Sequence, residues 1–341
     1  MKKLLLSILW TSAMLTTQTA FTLPSLNIYA TGGTIAGSSD SVTDTSQYQV
    51  ATLGVEKLIA AVPELKKIAT VTGKQIASVD SNDISVNILL ELAKTLNQDL
   101  AGGTDGAVIT HGTDTLEETA FFLSLTTKTE KPIVIVGAMR PATAISADGA
   151  MNLLQASALA VAKEAYNRGV MMVMNDRIGS GYYISKNHAN APDAFKSVES
   201  GYLGLMVGLT PHFYYQPQQP MNAANFDVSQ YKELPRVDII FGYQDADADL
   251  LDAAVERGAR GVVIDATGAG MLSTKLLERV KALTAEGFPV VRASRTGQGY
   301  VSIAEDEGIG SGFLNAQKAR ILLMLALANG DDLAAIRARF Q

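Results

Sequence analysis

The chain has 341 residues, of which 47% are hydrophobic and 18% charged, enough to bury more than one core and too apolar for an intrinsically disordered chain. A formal net charge of -6 gives no general attraction to nucleic acid or to an anionic lipid surface. There are no cysteines, which excludes disulfides, a cysteine nucleophile and thiolate metal ligands.

The N-terminus reads as a secretory signal over residues 1–22. Basic "MKK" precedes a mostly apolar run from Leu4 to Leu15, then small and polar residues, with cleavage expected near Ala20 or Thr22. The apolar run is short for a membrane span, so the expected location is periplasmic or secreted. The first strand is predicted over "LNIYAT" (26–31), and further short β-rich runs follow at 106–110, 132–138 and 169–175. Helical spacing lies between them at 55–62, 84–96, 116–125 and 147–166. Strands alternating with helices predict βαβ units and a parallel sheet, with ligands at the carboxyl ends of the strands.

The rhythm breaks over 201–235, where "PHFYYQPQQPMNAANFDVSQYKELP" is rich in proline and without clear period. A second alternation follows: strands at 236–243, 261–267 and 288–294, helices at 247–257, 272–286 and 315–328, then a terminal helix. The expected fold is therefore α/β, with a larger N-terminal parallel-sheet domain (23–215), a linker (216–235) and a smaller C-terminal Rossmann-like parallel-sheet domain (236–341).

Two stretches sit where such a fold does its chemistry. "ATGGTIAG" (30–37) follows the first strand. It lacks the lysine of a P-loop and the G-x-G-x-x-G spacing of a dinucleotide fingerprint. A plain turn accounts for Gly32 and Gly33 but not for threonines on both sides, and the residues alone do not rank Thr31 against Thr34 as a reactive hydroxyl. "THGTDTLEE" (110–118) follows the second run. Thr115 and Glu118 have the spacing of a capping box, yet the turn carries more hydroxyls and carboxylates than a cap uses. Only three histidines exist, His111, His188 and His212, without metal-ligand spacing. There is no G-x-S-x-G elbow. His111 reads as a hydrogen-bonded turn residue. The chemistry left is a threonine nucleophile with a non-histidine activator.

These motifs, with "VGAMRP", "SADGAMNL", "NDRI", "YYISKN" and "LNAQKARILLMLALA", resemble the bacterial type II L-asparaginases of the glutaminase-asparaginase family, from about Leu23 to the C-terminus. The resemblance implies that Thr34 attacks the side-chain amide carbon and that Tyr48, in the polar loop 37–49, helps activate it. Thr113, Asp114 and Lys186 form a second polar triad. Ser81, Asn82 and Asp114 hold the substrate's α-carboxylate and α-ammonium, and the Ala138 carbonyl faces the leaving nitrogen. It further implies a homotetramer of two intimate dimers, with sites completed by a neighbouring subunit, and no cofactor or metal.

Departures from the family pattern are specific. Asn82 stands where a longer Gln or Glu is usual, and Met271 where Asn or Ser is usual; methionine cannot donate a hydrogen bond. The acidic residue expected across the subunit interface lies in "AEDEG" as Glu305, with Asp306 and Glu307 as shifted alternatives. The expected activity is hydrolysis of L-asparagine to L-aspartate and ammonia, with some L-glutaminase activity. The alternatives are a glutaminase-asparaginase of comparable activity on both amides, and a periplasmic amino-acid-binding protein.

Overall fold

The structure, a computed structural model, describes residues 22–44, 49, 52–217 and 226–341. The expected signal segment and Tyr48 lie outside the described residues. Strand β1 (Ser25–Gly32) is buried along nearly its whole length, as a continuous apolar run requires in the middle of a sheet. It pairs in parallel with β2 (Thr70–Val79) on one side and β3 (Gly106–Thr110) on the other. Beyond β3 lie β4 (Ile133–Val136) and β5 (Val170–Met174), also parallel.

The sheet then changes sense. β6 (Arg177–Ser180) turns back antiparallel to β5 through Asn175 and Asp176, whose φ values of 51° and 60° make the two-residue hairpin turn that suits strand twist. β9 (Gly204–Val207) and β10 (Thr210–Phe213) complete the order β10-β9-β6-β5-β4-β3-β1-β2. The larger sheet is thus a parallel core with an antiparallel extension. Part of the stretch whose rhythm breaks in sequence is the β9–β10 hairpin. Between β6 and β9, a small antiparallel pair, β7 (Ser185–Lys186) and β8 (Phe195–Lys196), forms a separate ribbon.

Strand β2 escapes sequence reading for a physical reason. It is an edge strand, most of its residues are half-exposed or exposed, and it contains Gly73 and Lys74. Gly73 is where helix α1 (Val55–Ala60) presses closest: an added Cβ would stand 2.9 Å from both the Val55 and Ile59 side chains.

The smaller sheet is parallel, in the order β11 (Val237–Phe241), β12 (Gly261–Ala266), β13 (Val290–Ser294), β14 (Ile309–Gly310). Helices α5 (Asp249–Glu256) and α6 (Thr274–Ala285) are amphipathic, each burying one face. Helices α3 (Leu116–Thr126) and α7 (Ala316–Ala328) are buried on nearly all sides and pack on one another. One core cluster runs through both, from Leu26 in β1 to Val263 in β12 and Val291 in β13. A second, smaller cluster lies among β12, α5 and α6.

The connectivity fixes where a ligand can sit. The chain leaves β1 for β2 on one side and reaches β3 on the other, so the loops after β1 and β3 part at a topological switch point. They part only after touching. A Cβ on Gly33 would lie 2.2 Å from the Gly112 Cα, and the Gly33 φ of 80° is a conformation that L side chains rarely adopt. Gly33→Ala is therefore expected to cost more than about 3 kcal/mol of stability, read as a lowered urea midpoint. A wild-type midpoint would mean that the two loops can separate without cost.

Candidate active site

Four loops converge at the carboxyl end of the larger sheet. Thr34 opens the short 3-10 turn Thr34–Ala36 after β1 and is 6% exposed. Ser81, on the 3-10 turn Ser81–Asp83 after β2, is buried. An added Cβ on Gly112 would meet the Ser81 Cβ at 2.8 Å, and one on Gly137 would meet the Thr113 Cγ2 at 2.9 Å. The backbones are thus as close as glycine allows, which brings the loops after β1, β2, β3 and β4 to one spot.

Thr31 and Thr34 separate clearly. The Thr31 hydroxyl donates to the Thr110 carbonyl at 3.0 Å, a buried bond that ties the ends of β1 and β3. Thr34 lies beyond the glycine pair Gly32 and Gly33, at the start of the turn that follows β1. The second triad expected from the resemblance is geometrically assembled. Lys186 Nζ donates to Thr113 Oγ1 at 2.9 Å and to Asp114 Oδ1 at 2.5 Å. Thr113 is buried, the Lys186 side chain is 13% exposed and the Asp114 side chain 58%. The ammonium is therefore mostly buried while the Asp114 carboxylate stays exposed, where a cationic group can meet it.

The remaining sequence-predicted residues divide. Ala138 is buried at the start of the loop after β4, beside the start of α4 (Gly149–Ala160). Asn82 is exposed and its side chain donates to Asp80 Oδ1 at 2.8 Å, within its own turn. Met271 is 59% exposed, in the tight Thr267–Met271 turn after β12. Glu305 is exposed near Lys281 and Arg337, and its backbone carbonyl accepts from Arg337 at 2.8 Å. Asp306 and Glu307 pair with Lys281 at 3.4 and 3.0 Å, and Glu307 also with Arg292 at 3.3 Å. Among the described residues, no hydrogen bond or ion pair of one chain joins Glu305 or Met271 to Thr113, Asp114 or Lys186.

The capping-box reading of Thr115 and Glu118 is corrected. Thr115 is the residue before α3, but its hydroxyl donates to the Ser81 carbonyl at 2.7 Å instead of capping the helix. It fastens the β2 loop to the β3 loop. A cap would use the hydroxyl oxygen to accept an amide N–H of the first helical turn, and Thr115 makes no such bond. Asp148 is a residue the sequence reading passed over: it accepts from the Met139 and Arg140 amides at 3.0 and 3.1 Å and holds the loop carrying Ala138. Its signal was present in "SADGAMNL" but carried no role there.

His111 is fully buried. Its Nδ1–H donates to the Gly112 carbonyl at 2.7 Å and Nε2 accepts from the Thr119 hydroxyl at 2.8 Å, so both ring nitrogens are engaged in the neutral form. Burial pushes its pKa down to about 4. No group of three or more His, Asp or Glu among the described residues could hold a metal ion. No described helix is long and apolar enough to cross a membrane.

Two threonine-rich loops meet at a switch point, with a lysine bound to a threonine and an aspartate, and the proteins this chain is similar to supply the class: hydrolases acting on amide bonds, built on two α/β units. Comparison with known proteins gives the family. Residues 25–219 match the asparaginase N-terminal family model and residues 236–340 the glutaminase/asparaginase C-terminal domain. The chain belongs to the glutaminase-asparaginase family. It is 48% identical over 326 residues to L-asparaginase 2 of Bacillus subtilis (strain 168), covering 93% of this chain and 86% of that protein. It is 44% identical over 320 residues to L-asparaginase 2 of Escherichia coli (strain K12), covering 92% and 91%.

A crystal structure of a probable cytoplasmic L-asparaginase from Campylobacter jejuni superposes with a TM-score of 0.90 at 43% identity, covering 93% of this chain and 99% of that one. That relative overturns the expected periplasmic or secreted location. The location rested on residues 1–22, all but the last of which lie outside the described part, and a protein of the same fold and nearly the same length is described as cytoplasmic.

The state of His111 has a pH consequence. Its folded pKa of about 4 lies below the ordinary 6.5, so between these values the unfolded chain binds a proton that the folded chain refuses. Stability present above pH 6.5 is lost as the pH falls toward 4, by about 3 kcal/mol for this group. His111→Gln is expected to flatten the stability–pH curve by that amount over this window in denaturant titrations. Parallel curves for the two proteins would show that His111 is not held neutral.

Proposed function

We propose that the protein is an L-asparagine amidohydrolase with Thr34 as its nucleophile, releasing L-aspartate and ammonia. The observation that carries the reading is the Lys186 ammonium between Thr113 Oγ1 and Asp114 Oδ1, both on the loop that the Thr34 loop meets where Gly33 approaches Gly112. The Thr34 hydroxyl oxygen bonds to the side-chain amide carbon and its proton passes to a neighbouring base. The carbonyl oxygen becomes an oxyanion that nearby donors stabilise. The base returns that proton to the nitrogen, and collapse expels the nitrogen as ammonia and leaves an ester on Thr34. Water attacks the ester, restores the hydroxyl and frees aspartate. Thr113, Asp114 and Lys186 form the proton-transfer group that activates an attacking oxygen, and Tyr48 assists Thr34.

Ser81 and Asn82 bind the α-carboxylate and α-ammonium together with the open edge of Asp114. The Ala138 carbonyl accepts from the leaving nitrogen. The functional unit is a homotetramer, a dimer of dimers, in which a neighbour's Glu305 and Met271 complete each site. The exposure of both residues, away from their own chain's triad, supports that arrangement. The units are a catalytic domain over 23–215 and a small domain over 236–341, joined by 216–235.

Comparable activity on L-glutamine is the second reading. Asn82 is exposed and reaches only its own Asp80, which leaves room at the α-amino end of the site for a longer substrate. A periplasmic binding protein is disfavoured, since binding needs charges for the two ends of an amino acid but no threonine–lysine pair.

Turnover of Asn and Gln measured side by side by ammonia release tests the reading; stoichiometric binding without ammonia would sink it. Thr34→Ala is expected to lower kcat about a thousandfold or more with the fold intact by circular dichroism, and Lys186→Met nearly as much. Near-normal kcat in either variant removes that residue from its role. Met271→Asn is expected to change the Gln-to-Asn ratio of kcat/KM; identical ratios would take Met271 out of the site.

A further inference from the structure

The motif "LNAQKARILLMLALA" forms helix α7 and the turn before it, and neither the loops that carry Thr34 and Thr113 nor the small-domain loops account for its polar residues. From Ile321 to Ala326 the helix is buried and apolar, as a helix wedged between α3 and the smaller sheet should be. Its first turn is different. Lys318 is 3% exposed, yet it carries an ammonium that donates to the Tyr182 carbonyl at 2.9 Å and to the Ile184 carbonyl at 2.6 Å. Asn315, the helix cap, reaches Ser185 Oγ at 3.4 Å. Gln317 donates to Glu117 Oε1 at 3.2 Å.

These contacts converge on two segments. Tyr182, Ile184 and Ser185 lead directly into Lys186. Glu117 is buried in the first turn of α3, three residues after Asp114. One turn of α7 therefore grips both arms of the Thr113–Asp114–Lys186 group.

A buried ammonium is a costly way to fill space, and an aliphatic side chain would pack there without desolvating a charge. Two carbonyls aimed at one nitrogen do what an apolar contact does not: they fix the segment along its own direction. Burial pushes the Lys318 pKa down to about 8, with Glu117 opposing the shift. The other groups facing it are the Phe121 ring on α3, 6.0 Å from the nitrogen, and the segment that includes Tyr182.

We propose that Lys318 is a positioning residue: it sets the 182–185 segment so that the Lys186 ammonium meets Thr113 and Asp114. The proposal rests on the catalytic reading of Lys186 given above. A misplacement on the order of 1 Å at a reacting group costs roughly a hundredfold in rate.

The test is a set of kinetic variants of the full chain. Lys318→Met is expected to lower kcat about 10- to 100-fold while KM for L-asparagine changes by less than about threefold, because the substrate-holding residues sit on other elements. Lys318→Gln keeps donors for the carbonyls and is expected to recover part of the lost kcat. On a Lys186→Met background, Lys318→Met is expected to cause no further loss.

Wild-type kcat in Lys318→Met, or a loss that multiplies on the Lys186→Met background, would overturn the proposal. So would a fall in kcat that the melting temperature of each variant accounts for. Should Lys318→Met not give soluble protein, Lys318→Gln carries the same comparison. If Lys186→Met alone keeps near-normal turnover, the catalytic reading fails and the positioning role falls with it. A dead Lys186→Met beside an unimpaired Lys318→Met rejects the positioning role alone.

Discussion

The site depends on one steric constraint, the approach of Gly33 to Gly112. With an added Cβ only 2.2 Å from the opposing Cα, no side chain fits between the loops after β1 and β3. The parallel register of the two strands, with Ala30 beside Thr110, delivers both loops to the same level. The buried Thr31 bond to Thr110 then fixes that level. Contact between bare backbones brings together the loops that carry Thr34 and Thr113. Gly112 against Ser81 and Gly137 against Thr113 extend the same solution to the β2 and β4 loops.

Hydrogen bonds between loops add direction to this close packing. Thr115 ties the β3 loop to the Ser81 carbonyl, and Asp148 holds the two amides after Ala138. His111 is fully buried with both nitrogens engaged and its charge suppressed by burial. It is part of the framework, and the amine bonded to Thr113 and Asp114 is that of Lys186. Lys186 comes from outside the parallel core, on the β7–β8 ribbon, so its position is the least constrained by the sheet. The buried polar turn of α7 is the element that reaches that segment, at the packing surface between the two halves of the chain.

Much of the fold was legible because burial leaves a record. Strands β1, β3, β4 and β5 are covered on both faces and read as apolar runs. Strand β2 was not legible, since an edge strand has little apolar surface to show. The β9–β10 hairpin was lost within a stretch without clear period. In the candidate site, the motifs around Thr34, Thr113 and Lys186 were readable as sequence, but the functions of Thr115 and Asp148 were not. Thr115 has the spacing of a cap, and only the tertiary structure shows that its hydroxyl accepts no helix amide and donates to the Ser81 carbonyl.

By itself the sequence determined which chemical groups are available: threonines flanked by glycines, a lysine far along the chain, no thiol and few histidines. It also determined two successive α/β units, because periodicity is a local property and survives in one dimension. The tertiary structure decided which groups meet. Lys186 is 73 residues from Thr113, and their 2.9 Å contact follows from strand order, a ribbon outside the main sheet and a buried helix. Such a contact is set by packing among elements distant in the chain, and spacing along the sequence carries no record of it.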